Sequence, residues 1–253
     1  MRLTFQTQAR IAVPARLVLA GGRGWLDLAV RFGLLERRGQ APVLIDAGWP
    51  ERGPGEGLAL GIYRALLRPR LDPAKSLAQV LNGRQPGALL LTHLHADHLG
   101  PARSLGVPIH APAPALERAR RHPWRALRHG VMAGLLPDAV IDLAGDAPLP
   151  FGLGRGRDVL GDGSVFSVPL PGHADGHTGL LFPIFDPPVL YAADVQWVWP
   201  AIAEDRPPRG PARVVYDDAR AAMESLAKVR AFAAMGGRVV LCHDPDPVPD
   251  FTT

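Results

Sequence analysis

The chain has 253 residues, 47% of them apolar and 21% charged, an ordinary balance for a soluble globular protein that excludes bulk disorder. Its formal net charge of +4 mildly favours an anionic substrate. It says little about nucleic acid, because nearly all the positive charge is arginine, with Lys75 and Lys228 the only lysines, a bias that a GC-rich coding sequence produces. A single cysteine, Cys242, excludes an intrachain disulfide.

At the N-terminus, Arg10 and Arg16 interrupt the apolar stretch, which makes a poor signal-peptide core. No run of about 18 apolar residues follows, so no membrane span is expected and the cytoplasm is the expected location. The first strand signal is VLIDAGW, 43–49. Ala59, Ile62, Tyr63, Leu66 and Leu67 then form an apolar stripe at helical spacing, read as core packing or as the cap of an acyl-chain pocket. Asp72 and Pro73 start a helix running to about Leu81. ALLLTHLHADH, 88–98, reads as a buried strand ending in ligand-type residues, and a helix is expected over 115–121. The arginines of 117–129 surround Trp124. They suit either a solvated helix face or a phosphate-binding patch.

Three more strands are expected: SVFSVPLPGH (164–173), PVLYAADVQW (188–197) and RVVLCH (238–243). Between the last two, the helical stripe Ala219, Ala222, Met223, Leu226, Val229, Phe232, Ala233 ends at Gly236 and Gly237. The five strand segments each deliver His or Asp at the C-terminal end. With no linker, repeat or Gly-rich phosphate loop, the pattern implies one layered α/β domain over 1–253, neither Rossmann nor P-loop.

The chemistry concentrates in Thr92-His93-Leu94-His95-Ala96-Asp97-His98. Neutral imidazoles and carboxylates are what a borderline divalent metal such as zinc binds. Alternation turns His93 and His95 to one side of an extended chain, and Asp97 and His98, past the bend, can reach a second position. Downstream, His173, Asp194 and His243 stand at further strand ends. A carboxylate among imidazoles is the natural group to bridge two cations. His177 is read as orienting a ligand or as a turn residue after Gly176. His110, His122 and His129 lack strand-end partners and are read as structural or solvent-facing. Cys242 is expected to face away from His243 into inert core.

The order HxHxDH, His, Asp, His resembles the metallo-β-lactamase superfamily across essentially the whole chain. That resemblance implies an αββα sandwich with two divalent cations at one edge of its sheets, zinc first, with iron, manganese or cobalt as alternatives. His93, His95 and His173 would hold one cation, Asp97, His98 and His243 the other, with Asp194 bridging. In LIDAG (44–48), Asp46 would support the site from behind. Among the branches, His95 stands where the di-iron oxygen reductases carry Glu, and Asp194 stands where true β-lactamases lack a bridging carboxylate. The ten residues after His243 leave no room for a glyoxalase II-type helical domain, and no long exosite arm of the tRNA-processing nucleases is evident.

PGHADGH and CHDPD look most like the N-acyl homoserine lactone lactonases. Those enzymes place a Tyr three residues beyond the bridging Asp; Trp197 stands there without a hydroxyl, and Tyr191 lies three residues before it. The resemblance implies hydrolysis of a small lactone or ester by a hydroxide shared between the cations. Asp97 would be the catalytic proton shuttle. A phosphodiesterase or nuclease, a mononuclear iron sulfur-dioxygenase and a non-catalytic metal-retaining protein are the alternatives. A homodimer is left open.

Overall fold

The computed structural model describes residues 1–51 and 57–253. Its frame is a long N-terminal hairpin. β1 (Arg2–Pro14) and β2 (Trp25–Glu36) pair antiparallel from Arg2 opposite Glu36 to Pro14 opposite Trp25, with a bulge between Thr7 and Ala9. β3 (Val43–Ile45) joins β2 antiparallel. After α1 (Leu58–Leu67), the short β4 (Arg70–Leu71) pairs with β1. Beyond α2 (Leu77–Leu81), β5 (Ala88–Leu90) pairs parallel with β3. The one-turn α3 (Ala96–Leu99) follows, and then β6 (Ile109–Ala111), α4 (Ala113–Arg121), α5 (Pro123–Arg128) and β7 (Ile141–Asp142). A small ribbon of β8 (Ala147–Pro148) and β9 (Arg155–Gly156) leads into the second sheet.

That sheet runs β10 (Phe166–Pro169), β11 (Thr178–Phe182), β12 (Val189–Ala193), and then β13 (Arg238–Leu241), which pairs parallel with β12 after α6 (Trp199–Ala203) and α7 (Ala219–Ala234). β14 (Phe251–Thr252) closes the first sheet against β1, giving the order β14-β1-β2-β3-β5-β6-β7.

Period-two alternation assigns each strand residue to one of two faces. Val43, Ile45, Leu90, Leu180, Phe182, Val189, Tyr191 and Val240 meet between the sheets. Their neighbours Leu44, Leu89 and Leu91 face Leu77, Leu81 and Leu116 of the helices outside the first sheet. Leu181, Leu190 and Leu241 face Leu226, Val229 and Phe232 of α7 outside the second. Three apolar layers between four layers of structure make the αββα sandwich that the resemblance implied.

Each segment expected to hold a strand of four to six residues does so: β10, β12 and β13 have that length, while β3 and β5 have three residues because the ladder stops before the polar residues begin, at Ile45 and Leu90. The expected 72–81 helix divides. Asp72 caps a 3-10 turn over Pro73–Lys75, and Ser76 caps α2 by accepting from the Gln79 amide. The apolar stripe on α1 is core only in part, with Tyr63 and Leu67 packed against Ala9, Ile11, Val30 and Trp49. Leu60 and Arg64 are the buried residues of that helix, while Ile62 and Leu66 are exposed. Among the described residues no helix is long and apolar enough to cross a membrane.

Candidate metal centre

Where β3 and β5 end side by side, their continuations are tied by one carboxylate. Asp46, at a left-handed φ of 52°, accepts from the Thr92 amide at 2.9 Å and the Thr92 hydroxyl at 3.0 and 3.1 Å. It also meets His98 Nδ1 at 2.7 Å and accepts from the Tyr191 hydroxyl at 2.9 Å. A non-glycine residue in that backbone region stores strain that the surroundings must hold; here those contacts hold it. Asp46 therefore fixes His98 so that Nε2 faces inward, the support expected of it. Tyr191 spends its hydroxyl on Asp46 and cannot stand in for the missing lactonase tyrosine.

The other side chains arrive from separate elements. His93 Nδ1 contacts the Thr92 hydroxyl at 3.1 Å. The Thr178 amide donates to Thr92 O at 2.9 Å, joining the second sheet to this loop. β12 ends at Ala193 with φ of 45°, and the turn presents Asp194. His177 settles its two readings in favour of orientation. Its Nδ1 contacts Leu170 O at 2.7 Å, and its Nε2 accepts from the Asp194 amide at 3.2 Å. With both nitrogens used, it holds Asp194 and is no ligand. His243 Nδ1 contacts Ala29 O at 2.6 Å, leaving Nε2 free to face inward.

Two compact donor groups result, each with its ligand atoms within 4.8 Å of one another: His93, His95, His173 and Asp194, and His98, Asp194, Cys242 and His243. Asp194 belongs to both. Its Oδ2 lies 3.4 Å from His173 Nε2, 3.0 Å from His243 Nε2 and 4.0 Å from His93 Nε2, and its Oδ1 lies 3.4 Å from His98 Nε2. Asp97 Oδ2 stands 3.4 Å from His243 Nε2, beside the second group but outside its compact set. Cys242 takes that place. Its thiol is packed in the inter-sheet core, as expected, and contacts the Arg31 amide at 3.4 Å, yet it does not point wholly away from the cluster.

The donor set fits divalent cations. His93 Nε2, His98 Nε2 and Asp194 Oδ1 are buried without any hydrogen-bond partner, an arrangement proteins avoid unless an ion or a catalytic role accounts for it. Electrostatics agree. Burial keeps His93 and His173 well below their ordinary pKa, and hence neutral and ready to ligate. Burial opposes charge on His98 and His243 too, but Asp46 and Asp194 outweigh it at His98, and Asp194 lifts His243 to about 10. Burial would raise the Asp194 carboxyl, yet His243 and His98 hold it well below the usual range. Protons thus gather where the carboxylates call for positive charge.

Around the cluster, Trp197 sets its ring edge-on to His173 and His243, with centroids 6.2 and 5.7 Å away. Sequence reasoning placed Tyr63 only in an apolar stripe. Its ring stacks on Trp49 at 5.3 Å, and burial together with the Asp97 and Asp194 charges raises its pKa. A cavity of about 190 Å³ beside His95 is lined by apolar Leu94, Ala115, Ala119 and Val131 and by charged Arg118, Arg125, Asp175 and Asp217. A larger one, about 1380 Å³, borders α1 and touches none of the cluster. In the arginine stretch, Arg118 grips Asp175 with two bonds of 2.6 Å, Arg120 reaches the Pro137 and Asp138 carbonyls, and Arg121 pairs with Glu117. Arg118 and Arg121 are exposed, so these are surface pairs on a solvated helix face. His110 is buried in β6, His122 is exposed, and His129 lies 3.4 Å from Asp217.

No curated protein sequence matches the chain. Solved structures do. An N-acyl homoserine lactone hydrolase with N-hexanoyl-L-homoserine at its catalytic metal center is 20% identical, with a TM-score of 0.70 over 96% of this chain and 93% of that one. A B. thuringiensis AiiA variant with N-decanoyl-L-homoserine bound is 20% identical, with a TM-score of 0.69 over 96% and 93%. AidC, a dizinc quorum-quenching lactonase, is 15% identical, with a TM-score of 0.62 over 97% and 87%. These likenesses show the fold. The metallo-β-lactamase superfamily model matches residues 27–234, most of the sandwich and all but the last of the expected ligand positions, and the chain belongs to that superfamily.

Proposed function

We propose that the chain is a dinuclear metal-dependent hydrolase that opens a lactone or ester, with an N-acyl homoserine lactone as the first candidate substrate. The observation that carries this is the pair of compact donor groups sharing Asp194. One carboxylate set between two clusters of imidazoles suits two cations a few ångströms apart. When bound, such a pair acidifies a water molecule toward neutral pKa and polarises a carbonyl.

The chain's own residues supply the rest. Thr92, Asp46 and His177 hold the imidazoles and Asp194 in place, so little reorganisation is needed when charge develops. Asp97, 6% exposed and 3.4 Å from His243 Nε2, would hand a proton to the departing alkoxide. Trp197 shields the His173 and His243 side from water but offers no oxygen. Leu94, Ala115 and Val131 beside His95 suit an apolar substrate chain. N-acyl homoserines bound in proteins of similar fold, two of them named as reaction products, support the substrate class.

The test is turnover of zinc-loaded protein on N-hexanoyl homoserine lactone set against bis-p-nitrophenyl phosphate. The proposal expects the lactone to be favoured, and kcat to fall about 10²- to 10⁴-fold in Asp97→Asn, the usual weight of a general acid. Preference for the phosphodiester, or one iron per chain in place of two zinc, would overturn it.

A further inference from the structure

Arg31, on β2, is 1% exposed, and the hydrogen bonds its guanidinium makes among the described residues end on backbone carbonyls. Nη1 donates to Leu241 O and to Cys242 O, each at 3.0 Å, and Nη2 donates to Asp246 O. The Arg31 amide reaches Cys242 Sγ at 3.4 Å. Burying a charge is costly unless it is fully hydrogen-bonded, so this side chain needs a reason to be there.

The reason lies in what it grips. β13 pairs with β12 as far as Leu241, and the Cys242 amide makes one last bond to Ala193 O at 3.0 Å, so the chain leaves its sheet just as His243 is presented. β2, in the other sheet, takes over. The Ala29 amide donates to His243 O at 3.2 Å, and Ala29 O meets His243 Nδ1 at 2.6 Å. Two residues along the same strand, Arg31 binds carbonyls on either side of His243, at Cys242 and Asp246. Among the described residues, the hydrogen bonds of the Arg31 guanidinium go to none of His93, His95 and His173.

We propose that Arg31 is a positioning residue for the second cation alone: by fixing the chain before and after His243 it keeps Nε2 of that ring aimed at Asp194. The inference rests on the two-cation reading above and narrows it to one half of the site.

Arg31→Lys keeps a buried cation but cannot span three carbonyls; Arg31→Met keeps bulk and removes the charge. Zinc titration against a chromophoric chelator, with the cobalt(II) visible spectrum as a second readout, measures each cation separately. Both variants are expected to hold the first cation as the unaltered chain does and the second 10- to 100-fold more weakly, the usual effect of losing support behind a ligand. Unchanged affinity for both cations, or an equal loss of both, would overturn the proposal. If the unaltered chain fails to take two cations, the functional reading fails instead. Should both variants fail to fold, hydrogen exchange on the unaltered protein decides. The Arg31 Nη protons, which donate to the Leu241, Cys242 and Asp246 carbonyls, are expected to exchange slowly in chelator-stripped and loaded protein alike. Protection that appears only on loading would count against the clamp.

Discussion

Asp46 receives hydrogen bonds from Thr92, His98 and Tyr191 with none of its oxygens exposed, so an amide there must turn a donor toward another donor. Asp46→Asn is therefore expected to weaken binding of the His98 cation 10- to 100-fold while far-UV circular dichroism stays native. Metal titration checks it. His177 makes a second case. Burial pushes its pKa down to about 4 against the pull of Asp194, from an ordinary 6.5. Between those values the unfolded chain binds the proton and the folded chain does not. Its contribution to stability is thus complete above 6.5 and is lost as pH falls toward 4. In chelator-treated protein, the denaturant midpoint of the unaltered chain should fall more steeply over that window than that of His177→Phe. The variant should also be about 1–3 kcal/mol less stable at neutral pH, since the Asp194 amide is left without an acceptor. Parallel pH profiles would contradict the assignment.

At the scale of elements, legibility follows from where pattern and function coincide. The five expected strands, each delivering His or Asp, stand out because a short apolar run meets a sudden polar cluster, and α7 stands out by its long stripe and its Asp218 cap. The N-terminal hairpin, which supplies the two longest strands, escaped. The bulge between Thr7 and Ala9 breaks the period of two in β1, and polar Gln8 and Arg31 are buried inside the pair. The α1 stripe misled in part because spacing reports that one face is apolar without reporting what lies opposite. The loop after α3 shows what local geometry demands. Gly100 has φ of 40°, and a Cβ there would lie 2.1 Å from Ala47 O. Gly100→Ala must displace the strand end that carries Asp46. It is expected to cost about 2–3 kcal/mol in denaturant unfolding, and an unchanged midpoint would contradict the packing described.

For the whole molecule, the site exists only when both sheets are in register, because Asp46 and Thr92 come from the first and Asp194 and His243 from the second. The residue types that converge on the cluster, and their order, were readable along the chain. Their support was readable only in part: Asp46 and His177 stand in recognisable segments, but the bonds from Ala29 and Arg31 involve residues with no motif of their own, and only folding brings them to the cluster. Cations held across the sheet interface bind the native state alone, so their removal should lower stability as well as activity. Each site loaded at 1,000-fold its Kd adds about 4 kcal/mol. Chelation is thus expected to lower the melting temperature and added zinc to restore it, in a scanning fluorimetry titration. The central claim is that one set of side chains, sharing Asp194, holds two cations, and a zinc-edge anomalous difference map from a crystal tests it most directly. The account predicts two peaks per chain, one among His93, His95 and His173 and one among His98, His243 and Asp97, with Asp194 between them. A single peak, or none in protein grown with zinc, would contradict it.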